Sequence, residues 1–191
     1  NHPTIFFAPA NDELMILIDK KNGLEIISRE LTTETNLNGT AVTTPRELFD
    51  FAEMVGFPKH GLILKKSKND HSYVRKGITD KSELLIYFNF CINEFGSAYV
   101  ETDMRAMYNP TRMKVIENAA KSLLAKLNSL CPACSSPGYS VARATPGLPC
   151  GYCGYPTAST LLHTYQCVKC GHQEDLKFPN NKDFEDPMYC D

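Results

Sequence analysis

Six of the chain's eight cysteines form Cys-x-x-Cys pairs in its last third, at Cys131/Cys134, Cys150/Cys153 and Cys167/Cys170. Two thiolates separated by two residues can bind one tetrahedral ion from a tight turn, and a second pair completes the four-coordinate shell. Gly154 and Gly171 directly follow two of the pairs and permit a turn whose N–H groups point at the sulfurs. This pattern predicts zinc coordination.

Two tetrahedral ions need eight ligands, so six thiolates are too few for two ions and too many for one. Cys190 is the seventh candidate. For the eighth we favour a cysteine just beyond Asp191, which would complete a fourth Cys-x-x-Cys, over His163 or His172. We therefore predict one or two structural zinc ions bound by seven cysteines: Cys131, Cys134, Cys150, Cys153, Cys167, Cys170 and Cys190.

The sequence leaves open which pairs share an ion. The pair at Cys131 can join the pair at Cys150 in sequential order, or the pair at Cys167 in crossed order. A closed four-thiolate shell does no chemistry and stabilises a segment too small for a core of its own. Disulfides would require an oxidising compartment, and a thioredoxin-like motif would not follow the end of a helix. Cys91, within an apolar helical run, is predicted to be buried.

A second cluster of polar residues lies between a predicted strand and a predicted helix: Glu101, Asp103, Arg105, Asn109 and Arg112. Carboxylates at the end of a strand can hold Mg²⁺, while arginines and the free N–H groups of a helix start suit a phosphate or carboxylate. The alternative is that Asn109 caps the helix and the charged residues form surface ion pairs.

Hydrophobic periodicity and turn residues predict alternating strands and helices. A polar loop is predicted over residues 30–43, and a short basic run at Lys65, Lys66 and Lys68 reads as a solvated turn. We expect an α/β domain with a mixed sheet and helices over residues 1–130, followed by a small zinc-ribbon-like module over residues 131–191. The predicted strands cover residues 14–19, 24–29, 61–65, 73–75, 98–102, 161–166 and 173–178, and the predicted helices cover residues 45–55, 80–95 and 110–129.

The chain has 20 basic and 22 acidic residues and a formal net charge of -2, so no overall basic field favours nucleic acid. No apolar run reaches the roughly 18 residues that span a membrane. Cysteine pairs without the spacing of a disulfide framework favour the cytoplasm. Because the chain starts at Asn1 and stops after Cys190-Asp191, we expect the first domain to lack an N-terminal part and the module to stop within a fourth Cys-x-x-Cys.

Five motifs lie between the predicted strand at residue 98 and the end of the chain: Glu101-Thr102-Asp103-Met104-Arg105, Asn109-Pro110-Thr111-Arg112-Met113, Leu130-Cys131-Pro132-Ala133-Cys134, Gly147-Leu148-Pro149-Cys150 and Asp186-Pro187-Met188-Tyr189-Cys190. Together they resemble a bacterial family of unknown function with several C-terminal Cys-x-x-Cys pairs. In that family the Asp-Pro-x-x-Cys ending looks like the first half of a fourth pair, and no established activity follows from the resemblance.

The order of the predicted elements is also faintly similar to the house-cleaning nucleoside triphosphate pyrophosphatases. This similarity concerns the fold alone and transfers no catalytic residue. One hypothesis is therefore a nucleotide-processing hydrolase that binds a phosphorylated small molecule with Mg²⁺. The alternative is a non-enzymatic zinc-ribbon interaction module, which presents Tyr165, Lys169, His172 and Lys177 to a protein or nucleic acid.

Overall fold

A computed structural model describes residues 4–5 and 8–190, which fall into two compact units. The first unit contains the described residues up to Glu13 together with Arg29–Ala119. The second unit contains Leu14–Ser28 and the described residues from Ala120 onward. The bounds of these compact units are not those of the predicted domains, which are divided after residue 130. The compact units do not test that division, so it stays a prediction.

The described residues form eleven strands, three α-helices and two short 3₁₀ turns, at Ala106–Tyr108 and Pro187–Tyr189. The helices are α1 (Pro45–Met54), α2 (Lys81–Phe95) and α3 (Pro110–Asn128). The strands are β1 (Thr4–Ile5), β2 (Ala8–Pro9), β3 (Asn11–Asp19), β4 (Leu24–Thr32), β5 (Gly39–Val42), β6 (Leu62–Ser67), β7 (Asp70–Ile78), β8 (Ala98–Thr102), β9 (Ser140–Pro146), β10 (Thr160–Gln166) and β11 (Gln173–Lys177).

The first unit contains a four-stranded sheet in the order β5-β8-β6-β7, and every neighbouring pair in it is antiparallel. The predicted mixed sheet was therefore wrong. The reason lies in the crossovers: α1 joins β5 to β6, which flank β8, and α2 joins β7 to β8, which flank β6. Each helix thus connects two parallel strands, but a third strand lies between them, so no parallel pair shares hydrogen bonds.

Capping residues determine where α1 and α2 begin. The Thr44 hydroxyl accepts from the Glu47 N–H, and the Glu47 carboxylate accepts from the Thr44 N–H, which completes a capping box. Asp80 accepts from the N–H groups of Ser82 and Glu83 at 2.9 Å each. Gly96, at a φ of 67°, ends α2 in the left-handed conformation that a residue without Cβ adopts at little cost.

The core of the first unit lies between α1, α2 and one face of the sheet. Leu48 and Phe51 of α1 and Leu84 and Phe88 of α2 pack with the buried strand residues of this face. The strand residues are Val42, Leu62, Leu64, Ile78, Ala98 and Val100. Successive side chains of a strand alternate between the two faces of a sheet. The strand residues that lie between these core residues therefore point to the opposite face, away from α1 and α2.

The predicted hairpin over residues 14–29 is confirmed as the pair β3 and β4. Within the stretch predicted as a loop, residues 30–43, the structure extends β4 to Thr32 and adds β5. In the second unit, β10 pairs with β11 as predicted, and β9 adds a third antiparallel strand that the sequence pattern did not predict. Across the described residues, no helix combines the length and apolar character needed to cross a membrane.

Leu84 and Ile86 provide a matched test of the core. Leu84 is fully buried, whereas Ile86, two residues along α2, is 64% exposed. We expect Leu84→Ala to lower the free energy of unfolding by about 2 to 5 kcal/mol, because it leaves a cavity. Ile86→Ala should change it by less than about 0.5 kcal/mol. Urea unfolding followed by circular dichroism measures both, and equal losses would contradict this assignment of the core.

Candidate metal centre

Two clusters of cysteines are brought together in the second unit. The first consists of Cys131, Cys134, Cys167 and Cys170, whose sulfurs all lie within 4.8 Å of one another. Sγ of Cys131 is 3.7 Å from Sγ of Cys170, and Sγ of Cys134 is 3.7 Å from Sγ of Cys167. Of the two arrangements that the sequence left open for the first pair, the structure places it with the third pair, in crossed order.

The sulfur separations fit a bound ion and do not fit disulfides. A disulfide requires about 2.05 Å between sulfurs, and no described cysteine forms one. A tetrahedral ion with metal–sulfur bonds of about 2.3 Å places its sulfurs about 3.8 Å apart. The observed 3.7 Å agrees with this value. The first cluster can therefore hold a metal ion in a closed four-thiolate shell.

The three Cys-x-x-Cys pairs share one backbone fold, and we call each pair with its following residue a knuckle: knuckle 1 (131–135), knuckle 2 (150–154) and knuckle 3 (167–171). In each knuckle the last residue donates its N–H to the carbonyl of the first cysteine, at 2.8 to 3.0 Å. That last residue has a positive φ in all three: 56° at Ser135, 72° at Gly154 and 75° at Gly171. The turn also aims the Tyr152 N–H at Sγ of Cys150.

Regular elements position the knuckles of the first cluster. Knuckle 1 follows the end of α3, and knuckle 3 forms the turn between β10 and β11. The first cysteine of each knuckle, Cys131 and Cys167, is buried beside Tyr139, and Tyr165 packs against them. The second cysteines, Cys134 and Cys170, are exposed. An ion bound here would thus be anchored on its inner side by this small core.

The second cluster contains Cys150, Cys153 and Cys190, also within 4.8 Å of one another. Residue Glu185 brings the end of the chain back to knuckle 2, since its carbonyl accepts from the Gly151 N–H at 2.9 Å and its N–H donates to the Pro149 carbonyl at 2.8 Å. Asp186 then caps the 3₁₀ turn that leads to Cys190. Three cysteine sulfurs from the described residues thus lie close together here.

The protonation of the metal-free clusters is uneven. The hydroxyl and N–H of Ser136 lower the pKa of the Cys134 thiol to about 6. By contrast, hydrogen bonds with the sulfurs of Cys153 and Cys150 raise the pKa of the Cys190 thiol to about 12. The Cys134 thiol therefore ionises more readily than the Cys190 thiol. Because a cation displaces thiol protons when it binds the sulfurs, metal affinity should fall as the pH falls.

Neither candidate histidine belongs to a cluster within the described residues. His172 lies instead 3.1 Å from the Glu174 carboxylate, and its ring centre lies 6.0 Å from that of Tyr139, with the two rings tilted by 32°. Cys91 is fully buried in α2, as predicted, and burial raises the pKa of its thiol to about 11. The thiols that can hold metal are therefore those of the Cys-x-x-Cys pairs and Cys190.

Four of the five residues of the predicted phosphate or magnesium site line one pocket of about 620 Å³ in the first unit: Glu101, Asp103, Arg105 and Arg112. The fifth, Asn109, is buried and caps α3, because its Oδ1 accepts from the Arg112 N–H at 3.0 Å. The structure thus brings the charged members together and gives Asn109 the capping role of the alternative interpretation.

Each charged residue of this predicted site already has an opposite charge beside it. Lys65 lies 2.8 Å from Glu101, Arg105 binds Asp103 through two nitrogens, and Arg112 binds Glu13 at 2.6 Å. Burial alone would raise the pKa of Asp103, but the hydrogen bonds from Arg105 outweigh it and keep that pKa below its ordinary value. Because both carboxylates are engaged, Mg²⁺ binding stays a prediction without support from this geometry.

Sequence reasoning missed the lysines around this pocket. Lys68 and Lys76 line it, and Lys65 is buried beside Tyr99 and Glu101. The basic run had suggested a solvated turn, which was wrong for Lys65. The sequence does contain a signal for the position of Lys65, namely the alternation along β6. Ile63 and Lys65 lie on the face opposite that of Leu62 and Leu64.

The model of one protein family, described as "Domain of unknown function (DUF6671)", matches residues 1–191. The chain belongs to this family. That description assigns no molecular function. It agrees with the predicted resemblance to a family of unknown function. Neither the curated proteins nor the solved structures gave a significant match to the chain.

The last residue of each knuckle provides a sharp test of its geometry. No atom lies within 4 Å of a Cβ placed on Gly171, so Gly171→Ala introduces only the strain of a left-handed backbone. We expect it to lower the free energy of unfolding of the metal-loaded chain by about 1 to 2 kcal/mol. Ser135→Ala is the control, because Ser135 already bears this strain at a φ of 56°. Chemical unfolding measures both, and equal effects would contradict the shared turn.

Proposed function

We propose that this chain is a zinc protein in which structural four-coordinate sites stabilise the second unit. One observation carries this proposal: four sulfurs from two distant pairs converge at the spacing of a tetrahedral thiolate site. Zinc has no redox chemistry of its own and is commonly bound by four cysteines in structural sites. Knuckle 3 between β10 and β11, with knuckle 1 beside it, supports a zinc-ribbon-like arrangement.

A structural role is supported by how little apolar core surrounds the first cluster. The buried residues there are Cys131, Tyr139 and Cys167, so two of the three are themselves candidate ligands. Such a core contributes little to stability, whereas a four-thiolate zinc site can contribute on the order of 10 kcal/mol of binding free energy to folding. We therefore infer that zinc binding and folding of this part of the chain are coupled.

The second cluster is proposed as a second zinc site with Cys150, Cys153 and Cys190 as three of its ligands. The fourth ligand would come from outside the described residues or from solvent. A sulfur ligand would close the shell and make the site structural, whereas a water molecule would leave the open position typical of catalytic zinc. Free thiolates need a reducing compartment, which supports the proposed cytoplasmic location. The nucleotide-processing activity stays a prediction.

Metal analysis of purified variants tests both sites. We expect the chain to carry two zinc ions, and Cys131→Ser to carry one, because a first-cluster ligand is lost. Cys150→Ser should also carry one, and Cys91→Ser, which removes a thiol outside both clusters, should retain two. In Cys131→Ser the remaining zinc ion should occupy the second site. X-ray absorption of this variant should therefore show sulfur at about 2.3 Å from zinc and give the number of sulfur ligands at that site. The proposal would be contradicted if the purified unmodified chain contained no zinc, or if Cys91→Ser lost both ions.

The second candidate function is an interaction module, and exposed apolar side chains around the second cluster support it. Tyr152 within knuckle 2 is 88% exposed, and Tyr155 follows the knuckle at 70%. Phe184, Met188 and Tyr189, from the segment that carries Cys190, are exposed as well. Such a grouping is typical of interaction sites. The residues first predicted for this role fit less well, because Tyr165 packs on the small core and His172 pairs with Glu174.

A protein partner fits this surface better than nucleic acid, because the same segment carries Asp183 and Asp186. We expect fluorescence anisotropy to show no binding of single-stranded oligonucleotides at physiological salt, since stacking on tyrosines would lack phosphate contacts. A photo-crosslinker at position 152 should capture a protein, and one at exposed Lys20 should not. Salt-dependent oligonucleotide binding that Tyr152→Ser with Tyr155→Ser abolishes would contradict a protein partner.

A further inference from the structure

We propose that the pocket on the uncovered face of the first unit's sheet binds a small organic dianion, held by Lys68, Lys76 and Arg105. The ligand class is an organic body that carries a phosphate monoester or a pair of carboxylates. This inference concerns the first unit alone and goes beyond the metal sites, on which it does not depend.

The pocket is built on strand residues that point away from the helices. Gly39 of β5, Ile63 of β6 and Tyr99 and Glu101 of β8 line it, and they alternate with the core residues of the same strands. Its volume of about 620 Å³ lies within the range of known small-molecule sites. The helices therefore support this surface from behind without covering it.

The pocket has an excess of positive charge. Four cations line it, and two of them have carboxylate partners: Arg105 with Asp103 and Arg112 with Glu13. The third and fourth, Lys68 and Lys76, make no ion pair with any described residue. The pocket carboxylate Glu101 is neutralised by buried Lys65 rather than by either of these two lysines. Two ammonium groups thus remain for a ligand that brings two negative charges.

Arg105 is held ready for such a ligand. Its Nε and Nη2 donate to Asp103, and its guanidinium lies 4.6 Å from the centre of the Tyr108 ring. Asp103 is itself fixed by the Gly77 N–H at 2.9 Å. The third nitrogen, Nη1, has no partner among the described residues, and the side chain is 46% exposed. A guanidinium immobilised in this way loses little freedom when it binds an anion.

The rest of the wall suits an apolar body. Leu37, Ile63, Tyr99 and Met104 line the pocket between the charged groups. Gly39 makes room for Tyr99, since a Cβ at this position would lie 2.6 Å from the Tyr99 hydroxyl oxygen. The pocket thus combines a dianion site with apolar contacts, and we expect it to prefer an organic dianion to an inorganic one.

Isothermal titration calorimetry and amide NMR at constant ionic strength test this proposal on the full 191-residue chain. The probes are phenyl phosphate, phthalate, inorganic phosphate and uncharged phenol. We expect at least one of the two organic dianions to bind more tightly than inorganic phosphate, with saturable shifts at Gly39 and Gly77, and phenol not to bind. The organic probe that binds more tightly identifies the phosphate or the dicarboxylate class. Failure of both organic dianions to bind would overturn the proposal.

Matched variants locate the binding. The double variant Lys68→Ala with Lys76→Ala should bind the probe about tenfold or more weakly, because two charge-assisted contacts are lost. Lys68→Arg with Lys76→Arg should retain most of the affinity and shows that the positions tolerate substitution. Lys59→Ala with Lys81→Ala removes the same charge outside the pocket and should change nothing. Equal weakening by this control pair would overturn the proposal, and zinc analysis of the same samples reports separately on the metal sites.

Discussion

In the second unit, four sulfurs from separate parts of the chain lie close enough together to share one ion. Thiolates at 3.7 Å repel one another unless a cation lies between them. With an ion in place, the end of α3 is joined to the turn between β10 and β11, and the strands between these points are constrained by the join. The turn that each knuckle needs explains the positive φ at Ser135, Gly154 and Gly171. With an ion bound, this part of the second unit would need little hydrophobic core around the first cluster.

The first unit is stabilised differently, by an apolar core that two helices form on one side of an antiparallel sheet. Its other side is free to carry charge because the strand alternation separates the two faces completely. The ion pair of buried Lys65 and half-buried Glu101 shows how this works: both side chains project from strands whose neighbouring residues, Leu64 and Val100, belong to the core.

The predictability of each element follows from how local its cause is. The helices were predicted to within a residue or two, because Thr44, Asp80 and Asn109 are caps that act on the next turn of the chain. β5 and β9 were missed because Gly39–Val42 is short and Ser140–Pro146 is mostly exposed, so neither shows alternating burial. Strand order and the sharing of the knuckles depend on contacts distant in sequence, which periodicity does not encode.

The residues of the candidate sites also differ in how far local sequence could identify them. The cysteines were identified from spacing alone, since the two-residue gap is set by the turn that a pair of thiolates needs. The role of the charged cluster near Arg105 depended on partners far along the chain, Lys65 and Glu13, which no local pattern reveals. The lysines of the pocket were overlooked for the same reason: Lys68 and Lys76 line the same pocket only because β6 and β7 form a hairpin.

The crossed order of the first cluster has a consequence for synthesis on the ribosome. Knuckle 1 and knuckle 2 leave the exit tunnel before knuckle 3, so a nascent chain presents two complete thiolate pairs before the correct partner of knuckle 1 exists. An ion bound at that stage by knuckles 1 and 2 would have to be released before Cys167 and Cys170 could complete the first cluster. For a metal-binding first cluster, the order of the cysteines along the chain would thus make loading a matter of timing as well as affinity.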